Sequence, residues 1–251
     1  MPKIVIFDSG LGSLSVIKPM RKKISSEVIY FADQVSYPYG TKTISQLDKI
    51  IRNTISRLQE KFSPDIIVVG SNTPSLLLNI EKKNRIIGVF PPLEDAVCKT
   101  KSNHIGILAT KSVVESEALS NYIKKFVPSK IKVTKINATP LVDLVETGKF
   151  ISEKQRSSKI IKNLIEPYLQ NKIDVITLSS THLPFLLPVL QNLFPNVTFL
   201  DPADSVVEHI SKILKKKKSH KNNLKIYASG DVKIFRNQLI KIGIKNKVNP
   251  L

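Results

Sequence analysis

The chain has 251 residues, 39 Lys and Arg against 20 Asp and Glu, a formal net charge of +19 and a single cysteine. One cysteine excludes an internal disulfide and a Cys-rich metal centre, and the four scattered histidines do not suggest a metal site of their own. No run reaches the 18 or so apolar residues of a membrane span, and the N-terminus enters a strand-like run without a signal-peptide core, so a soluble cytoplasmic protein without a membrane partner is expected.

In chain order, Lys3–Asp8, Val28–Ala32, Asp65–Gly70 and Ile86–Phe90 read as strands, and Ser13–Lys23, Ile44–Phe62 and Pro74–Lys82 as the helices between them. The strands are almost wholly apolar, as parallel strands covered on both faces are. The pattern then recurs. His104–Ala109, Lys130–Ile136, Asp174–Ser179 and Val197–Leu200 read as strands; Glu115–Phe126, Ser152–Gln170 and Leu183–Leu193 read as helices. Asp65-Ile-Ile-Val-Val-Gly-Ser-Asn-Thr73 aligns with Asp174-Val-Ile-Thr-Leu-Ser-Ser-Thr-His182, and Val89-Phe-Pro-Pro-Leu93 with Phe199-Leu-Asp-Pro-Ala203. The expected fold is α/β: two pseudo-symmetric, doubly wound parallel-sheet lobes with an active-site cleft between them. Residues 1–97 with 206–251 are expected to form lobe one and 98–205 lobe two. In this scheme the last segment (helix Val206–Leu214, strand Leu224–Ala228, helix Val232–Ile242) returns to the first lobe.

More than half of the charge excess sits between Lys212 and Leu251, where 11 Lys and one Arg face one acid, Asp231, and Lys215–Lys218 form a run of four. The chain lacks the aromatic interleaving and the motif of a nucleic-acid module, so this excess reads as a solvated surface and nucleic acid is not the expected partner.

Small polar residues collect where parallel strands end and ligands bind. These are Asp8-Ser9-Gly10, Ser71-Asn72-Thr73, Thr110-Lys111-Ser112 and Ser179-Ser180-Thr181-His182, each before a helix whose free N–H groups favour an anion. Asp8-Ser-Gly-Leu-Gly-Ser is not a dinucleotide fingerprint, because Ser15 takes the third glycine position. No Walker A sequence is present, and Asp8-x-Gly10 lacks the second Asp of a phosphatase loop.

Seven segments, in order, carry a resemblance. They are Ile6-Phe-Asp-Ser-Gly-Leu-Gly12 with Leu14-Ser15-Val16, Tyr30-Phe-Ala-Asp33, Pro38-Tyr-Gly-Thr-Lys42, Asn72-Thr73, Pro140-Leu-Val-Asp-Leu-Val-Glu-Thr-Gly148, Thr181-His182 with Pro184, and Tyr227-Ala-Ser-Gly-Asp231 with Phe235. Together they resemble the glutamate racemase family of the aspartate/glutamate racemase superfamily. The resemblance implies an amino-acid racemase without a cofactor, acting on glutamate, aspartate or a related small carboxylate. It implies that Asp8, Ser9, Pro38, Tyr39, Gly40, Asn72, Thr73, Thr110 and Thr181 hold the substrate. Asp8 would sit beside one catalytic position and His182 beside the other, with Glu146 supporting His182. No metal is implied, and a homodimer is left open. Read without the family, Tyr39 could be a turn residue, Glu146 a helix-end charge and His182 a structural histidine.

The departures are chemical. The family removes a proton from one face of the α-carbon and returns one on the other, using two thiols; here both positions are serine, Ser71 and Ser180. Pro74, Leu183, Ser179 and Pro91-Pro92 also depart from the family pattern, as expected of a diverged lineage rather than an inactivating substitution. Cys98 falls beyond the fourth strand and is expected to be a small core residue. A hydroxyl is a weaker acid than a thiol by about 5 units, or about 7 kcal/mol per ionisation. Three readings follow: proton relay by Ser71 and Ser180 to Asp8 and His182; different chemistry, such as a lyase or hydrolase using Ser180 and His182; or a non-catalytic binder of acidic metabolites. Residues two apart on a turn need not face each other, which argues against a simple Ser180–His182 pair.

Overall fold

The computed structural model describes residues 1–80, 85–170, 172–214 and 223–251. The Lys215–Lys218 run lies outside the described residues, as does the end of the helix expected over Pro74–Lys82.

The first lobe runs β1 (Lys3–Asp8), α1 (Leu14–Lys23), β2 (Glu27–Ala32), α2 (Ile44–Phe62), β3 (Ile66–Val69), α3 (Asn72–Leu77) and β4 (Ile86–Gly88). The second runs α4 (Leu93–Lys99), β5 (His104–Ala109), α5 (Lys111–Val114), α6 (Glu117–Phe126), β6 (Lys132–Asn137), α7 (Thr139–Glu146), α8 (Lys149–Ser152), α9 (Lys154–Leu169), β7 (Val175–Leu178), α10 (Leu187–Leu193) and β8 (Thr198–Leu200). The chain closes with α11 (Ala203–Leu214), β9 (Asn223–Ala228), α12 (Val232–Lys241) and β10 (Val248–Pro250).

Two parallel sheets result, ordered β10-β9-β2-β1-β3-β4 and β6-β5-β7-β8. The order β2-β1-β3-β4 is repeated as β6-β5-β7-β8, so the internal sequence repeat is a repeat of architecture. Strands β9 and β10 extend the first sheet, and α11 packs on α1 through Val206, Val207 and Ile210 in the same core as Ile4, Ile6 and Val28. In each four-strand unit the chain leaves the central strand to one side and later returns on the other. The ends of β1 and β3, and of β5 and β7, are therefore topological switch points.

Local signals set several boundaries. Helix α2 starts at a capping box, in which Thr43 Oγ1 accepts from Gln46 N–H and Gln46 Oε1 accepts from Thr43 N–H. It buries Leu47, Ile51, Thr54 and Leu58 along one face. Elsewhere the expected helices differ. The helix after β3 starts at Asn72 and ends at Leu77, where Asn79 adopts a left-handed φ of 47° and turns the chain. The helix expected over Glu115–Phe126 is α6, starting at Glu117 because Ser116 caps it by accepting from Leu119 N–H; the short α5 lies wholly before that range. The stretch Leu183–Leu193 opens as a 3-10 turn, Leu183–Leu186, before α10, because Pro184 and Pro188 remove backbone donors there. Helix α7, with Pro140 in its first turn, and edge strand β10 had no periodic signal long enough to announce them. Cys98 is exposed on α4 and not in the core; Leu93 and Ala96 form that helix's buried face.

Candidate active site

The ends of β1, β3, β5 and β7 converge on one small pocket of about 50 Å³, room for a few waters. It is lined from lobe one by Asp8, Ser9, Tyr37, Pro38, Tyr39, Gly40, Ser71, Asn72 and Thr73, and from lobe two by Thr110, Val142, Ser179, Ser180 and His182. Thr181 and Glu146 stand behind this lining. Each residue to which the resemblance gave a catalytic, substrate-binding or supporting role is therefore in or against the same pocket.

Asp8 ends β1 and is buried. Its Oδ1 accepts from Ser9 N–H (2.7 Å); its Oδ2 accepts from Ser13 N–H (3.1 Å) and from the Thr181 hydroxyl of the other lobe (3.1 Å). Burial pushes its carboxyl up to about 6, against the pull of His182 and of the N–H and hydroxyl donors. Among the described residues Asp8 makes no hydrogen bond to Ser71; its link across the cleft is to Thr181.

His182 is the centre of the other side. Its Nε2–H donates to Glu146 Oε1 at 2.5 Å, and its Nδ1 lies 3.4 Å from Ser180 Oγ. The two residues do face each other, contrary to the expectation from spacing, because the chain turns into the 3-10 segment at His182. Glu146 closes α7 and also accepts from Leu11 N–H at 2.6 Å, 135 positions away. Burial alone would lower the His182 pKa, but the Glu146 hydrogen bond and the charges of Glu146 and Asp8 overcome this, and it is raised.

The glycines of the opening motif make this crossing fit. A Cβ on Gly10 would lie 1.9 Å from Glu146 Oε1, and one on Gly12 would lie 2.5 Å from Thr181 Oγ1 and 2.6 Å from the His182 ring. The neighbouring Ser15 hydroxyl donates to Thr181 C=O (2.8 Å). Thus the Asp8-Ser-Gly-Leu-Gly motif is shaped by contact with lobe two rather than by a nucleotide.

The remaining motifs position Tyr39. After the cis Tyr37–Pro38 bond, Tyr39 lies buried in a 3-10 turn, and its hydroxyl donates to Asp33 Oδ2 (3.2 Å). Asp33 Oδ1 accepts from Ser229, whose oxygen in turn accepts from Val35 N–H. Tyr30 donates to Gly10 C=O and stacks at 6.4 Å on Phe235. Asp231 caps α12, which carries Phe235, by accepting from Lys233 and Ile234 N–H. The C-terminal motif therefore braces the pocket wall from behind.

Two features point to a ligand. Asn72 is 3% exposed, and neither its Nδ2 nor its Oδ1 has a partner among the described residues, although buried amides are almost always bonded. Opposite, hydroxyls form a chain: Thr73 Oγ1 lies 3.3 Å from Thr110 Oγ1, which lies 3.2 Å from Ser112 Oγ. Sequence reasoning missed Tyr37 and the apolar wall residue Val142, and gave no substrate role to Ser179, whose buried hydroxyl lies 2.9 Å from Thr177 Oγ1. For Ser179 the signal was present, as a polar residue at the end of β7.

Titration of the site should set a stability slope. Asp8 holds a proton more tightly folded than unfolded, so it stabilises the fold below pH 4 and loses that contribution as pH rises to about 6. His182, also raised, acts in the same direction above its ordinary range. Denaturant melts of D8N against the parent chain should show the variant gaining relative stability from pH 4 to 7, by on the order of 3 kcal/mol; a constant difference would contradict this.

Comparison with known proteins agrees with the geometry. The family model described as Asp/Glu/Hydantoin racemase matches residues 11–210. The glutamate racemase of Aliivibrio fischeri is 33% identical over 221 residues, covering 85% of this chain and 82% of that protein. That of Actinobacillus pleuropneumoniae is 28% identical over 250 residues, covering 95% and 94%. Among solved structures, a glutamate racemase isoform from Bacillus anthracis superposes with a TM-score of 0.86 at 21% identity, covering 100% of this chain and 97% of that one. The glutamate racemase from Campylobacter jejuni gives 0.75 at 26% identity, covering 98% and 100%. The chain belongs to the Asp/Glu/Hydantoin racemase family, with glutamate racemases as its relatives and their two-lobed fold.

Proposed function

We propose that the chain is a cofactor-independent, glutamate racemase-like isomerase that exchanges the α-proton of a small acidic amino acid, glutamate or aspartate. The observation that carries this reading is the placement of Ser71 and Ser180, one from each lobe, in one pocket with Asp8 and His182. The structures of the Escherichia coli and Francisella tularensis glutamate racemases were solved with L-glutamate and D-glutamate respectively, which supports the choice of substrate.

In the proposed mechanism the Asn72 amide, Thr73, Thr181 and the Tyr39–Gly40 turn hold the carboxylates, with Ser9, Pro38 and Thr110 shaping the pocket. One hydroxyl removes the α-proton as the other delivers one to the opposite face. His182, held by Glu146, takes the proton from Ser180. Asp8, with its carboxyl near neutral-pH titration, plays that part on the Ser71 side. The cost of using hydroxyls predicts a slow enzyme.

The test is loss of the α-proton signal of L-glutamate and L-aspartate by NMR in heavy water. Exchange with at least one of them is expected. Absence of exchange with both, while ligand binding persists, would remove the isomerase and leave an acidic-metabolite binder on the same scaffold.

A further inference from the structure

The two pocket serines are not equivalent. Ser71 Oγ has no hydrogen-bond partner among the described residues, whereas Ser180 Oγ faces His182 Nδ1 at 3.4 Å, and the far side of that ring meets Glu146 Oε1 at 2.5 Å. Ser180, His182 and Glu146 are each less than 8% exposed. Glu146 is pinned by a second donor, Leu11 N–H at 2.6 Å, and sits against Gly10, where no Cβ intervenes.

This is the order nucleophile, base, orienting carboxylate, with the two ring nitrogens exchanged relative to the serine-protease arrangement. Because Glu146 accepts the Nε2 proton, the neutral ring turns its lone pair at Nδ1 toward the Ser180 hydroxyl. The contact is long, as such contacts often are before substrate binds. Ser180 also sits on the turn after β7, and the N–H groups of Thr181 and His182 on that turn donate to no backbone carbonyl among the described residues. Donors on the residue after a nucleophile are what a developing oxyanion requires.

We propose that Ser180 is an acyl-accepting nucleophile, with His182 as its base and Glu146 as the positioning carboxylate, and that the chain transfers small acyl groups from esters or amides to water. Ser180 Oγ bonds to the carbonyl carbon as its proton moves to Nδ1. The bond from that carbon to the leaving oxygen or nitrogen breaks, and the leaving group takes the proton from Nδ1. Water, deprotonated by the same nitrogen, then releases the acid and restores the hydroxyl. This activity needs Ser180 but not Ser71, so it stands apart from the two-sided proton exchange proposed above.

The probe is p-nitrophenyl acetate with the full chain, read by p-nitrophenolate release and by peptide mass. An acetyl group on Ser180 is expected, lost in S180A and formed at least about 10-fold more slowly in E146Q, the scale of an orienting partner. Acetylation confined to lysines, or release at the parent rate in S180A, would overturn the proposal. A second measurement does not depend on acyl chemistry. In S180C the introduced thiol should react with iodoacetamide at pH 7 at least about 10-fold faster than exposed Cys98 in the same chain, and lose that advantage when His182→Asn is added. A rate no faster than that of Cys98 would show that His182 does not act as a base toward position 180.

Discussion

The S71C/S180C double variant is expected to exchange the α-proton of L-glutamate at least about 100-fold faster than the parent chain. A thiol reaches its anion near pH 8.5, whereas a hydroxyl lies about 5 units higher, a difference of about 7 kcal/mol per ionisation. Only part of that difference enters a rate, because proton transfer in the transition state is incomplete. The surroundings needed to use a thiol are in place: His182 Nδ1 stands 3.4 Å from the Ser180 oxygen, and Asp8 lines the same pocket as Ser71. Each position borders the cavity, so a sulfur has space to replace an oxygen. Loss of the α-proton signal in heavy water measures the rate for the parent, both single variants and the double. Because the proposed reaction needs one group on each face of the carbon, each single variant should gain far less than the double. A double variant no faster than the parent would remove position 71 or position 180 from the reaction.

Gly10→Ala is expected to lower stability by about 1–3 kcal/mol, the range for forced overpacking, and to suppress exchange. The added Cβ would stand 1.9 Å from Glu146 Oε1 and 2.7 Å from its carboxyl carbon. Glu146 would have to leave Leu11 N–H and His182 Nε2 together, which frees the ring that faces Ser180. The three nearest atoms all belong to that side chain, so E146A should relieve the clash. Denaturant melts of G10A, E146A and the double variant form a cycle in which the double should be more stable than the sum of the singles. Simple additivity would place the effect of Gly10 somewhere other than this contact.

The sequence by itself determined the frame. Contiguous apolar runs located all eight strands of the two matching four-strand units, with His104–Ala109 and the helix Ile44–Phe62 read to the residue. Those features depend on backbone periodicity and on local caps such as Thr43 with Gln46, which act within a turn or two. The polar strand ends were legible for the same reason: a residue closing an apolar run must lie at the sheet's edge, where the chain switches direction and ligands bind. The departures were local too, where a proline or a left-handed Asn79 divided a periodic stretch, or where a solvent-facing helix side carried Cys98.

The chemistry was decided by the tertiary structure. The family resemblance set Glu146 beside His182, but nothing in the chain indicates that Glu146 also takes the Leu11 N–H, or that Asp8 reaches Thr181, 173 positions away. Nor does local sequence show that the Asn72 amide is left without a partner, or that Tyr39 is held through Asp33 by Ser229. Each of these follows from two lobes closing strand end against strand end, which brings distant segments into contact. Desolvation, charge proximity and the fit of Gly10 and Gly12 exist only once that closure has occurred, and these are the quantities that turn serines, a histidine and two carboxylates into a reactive site.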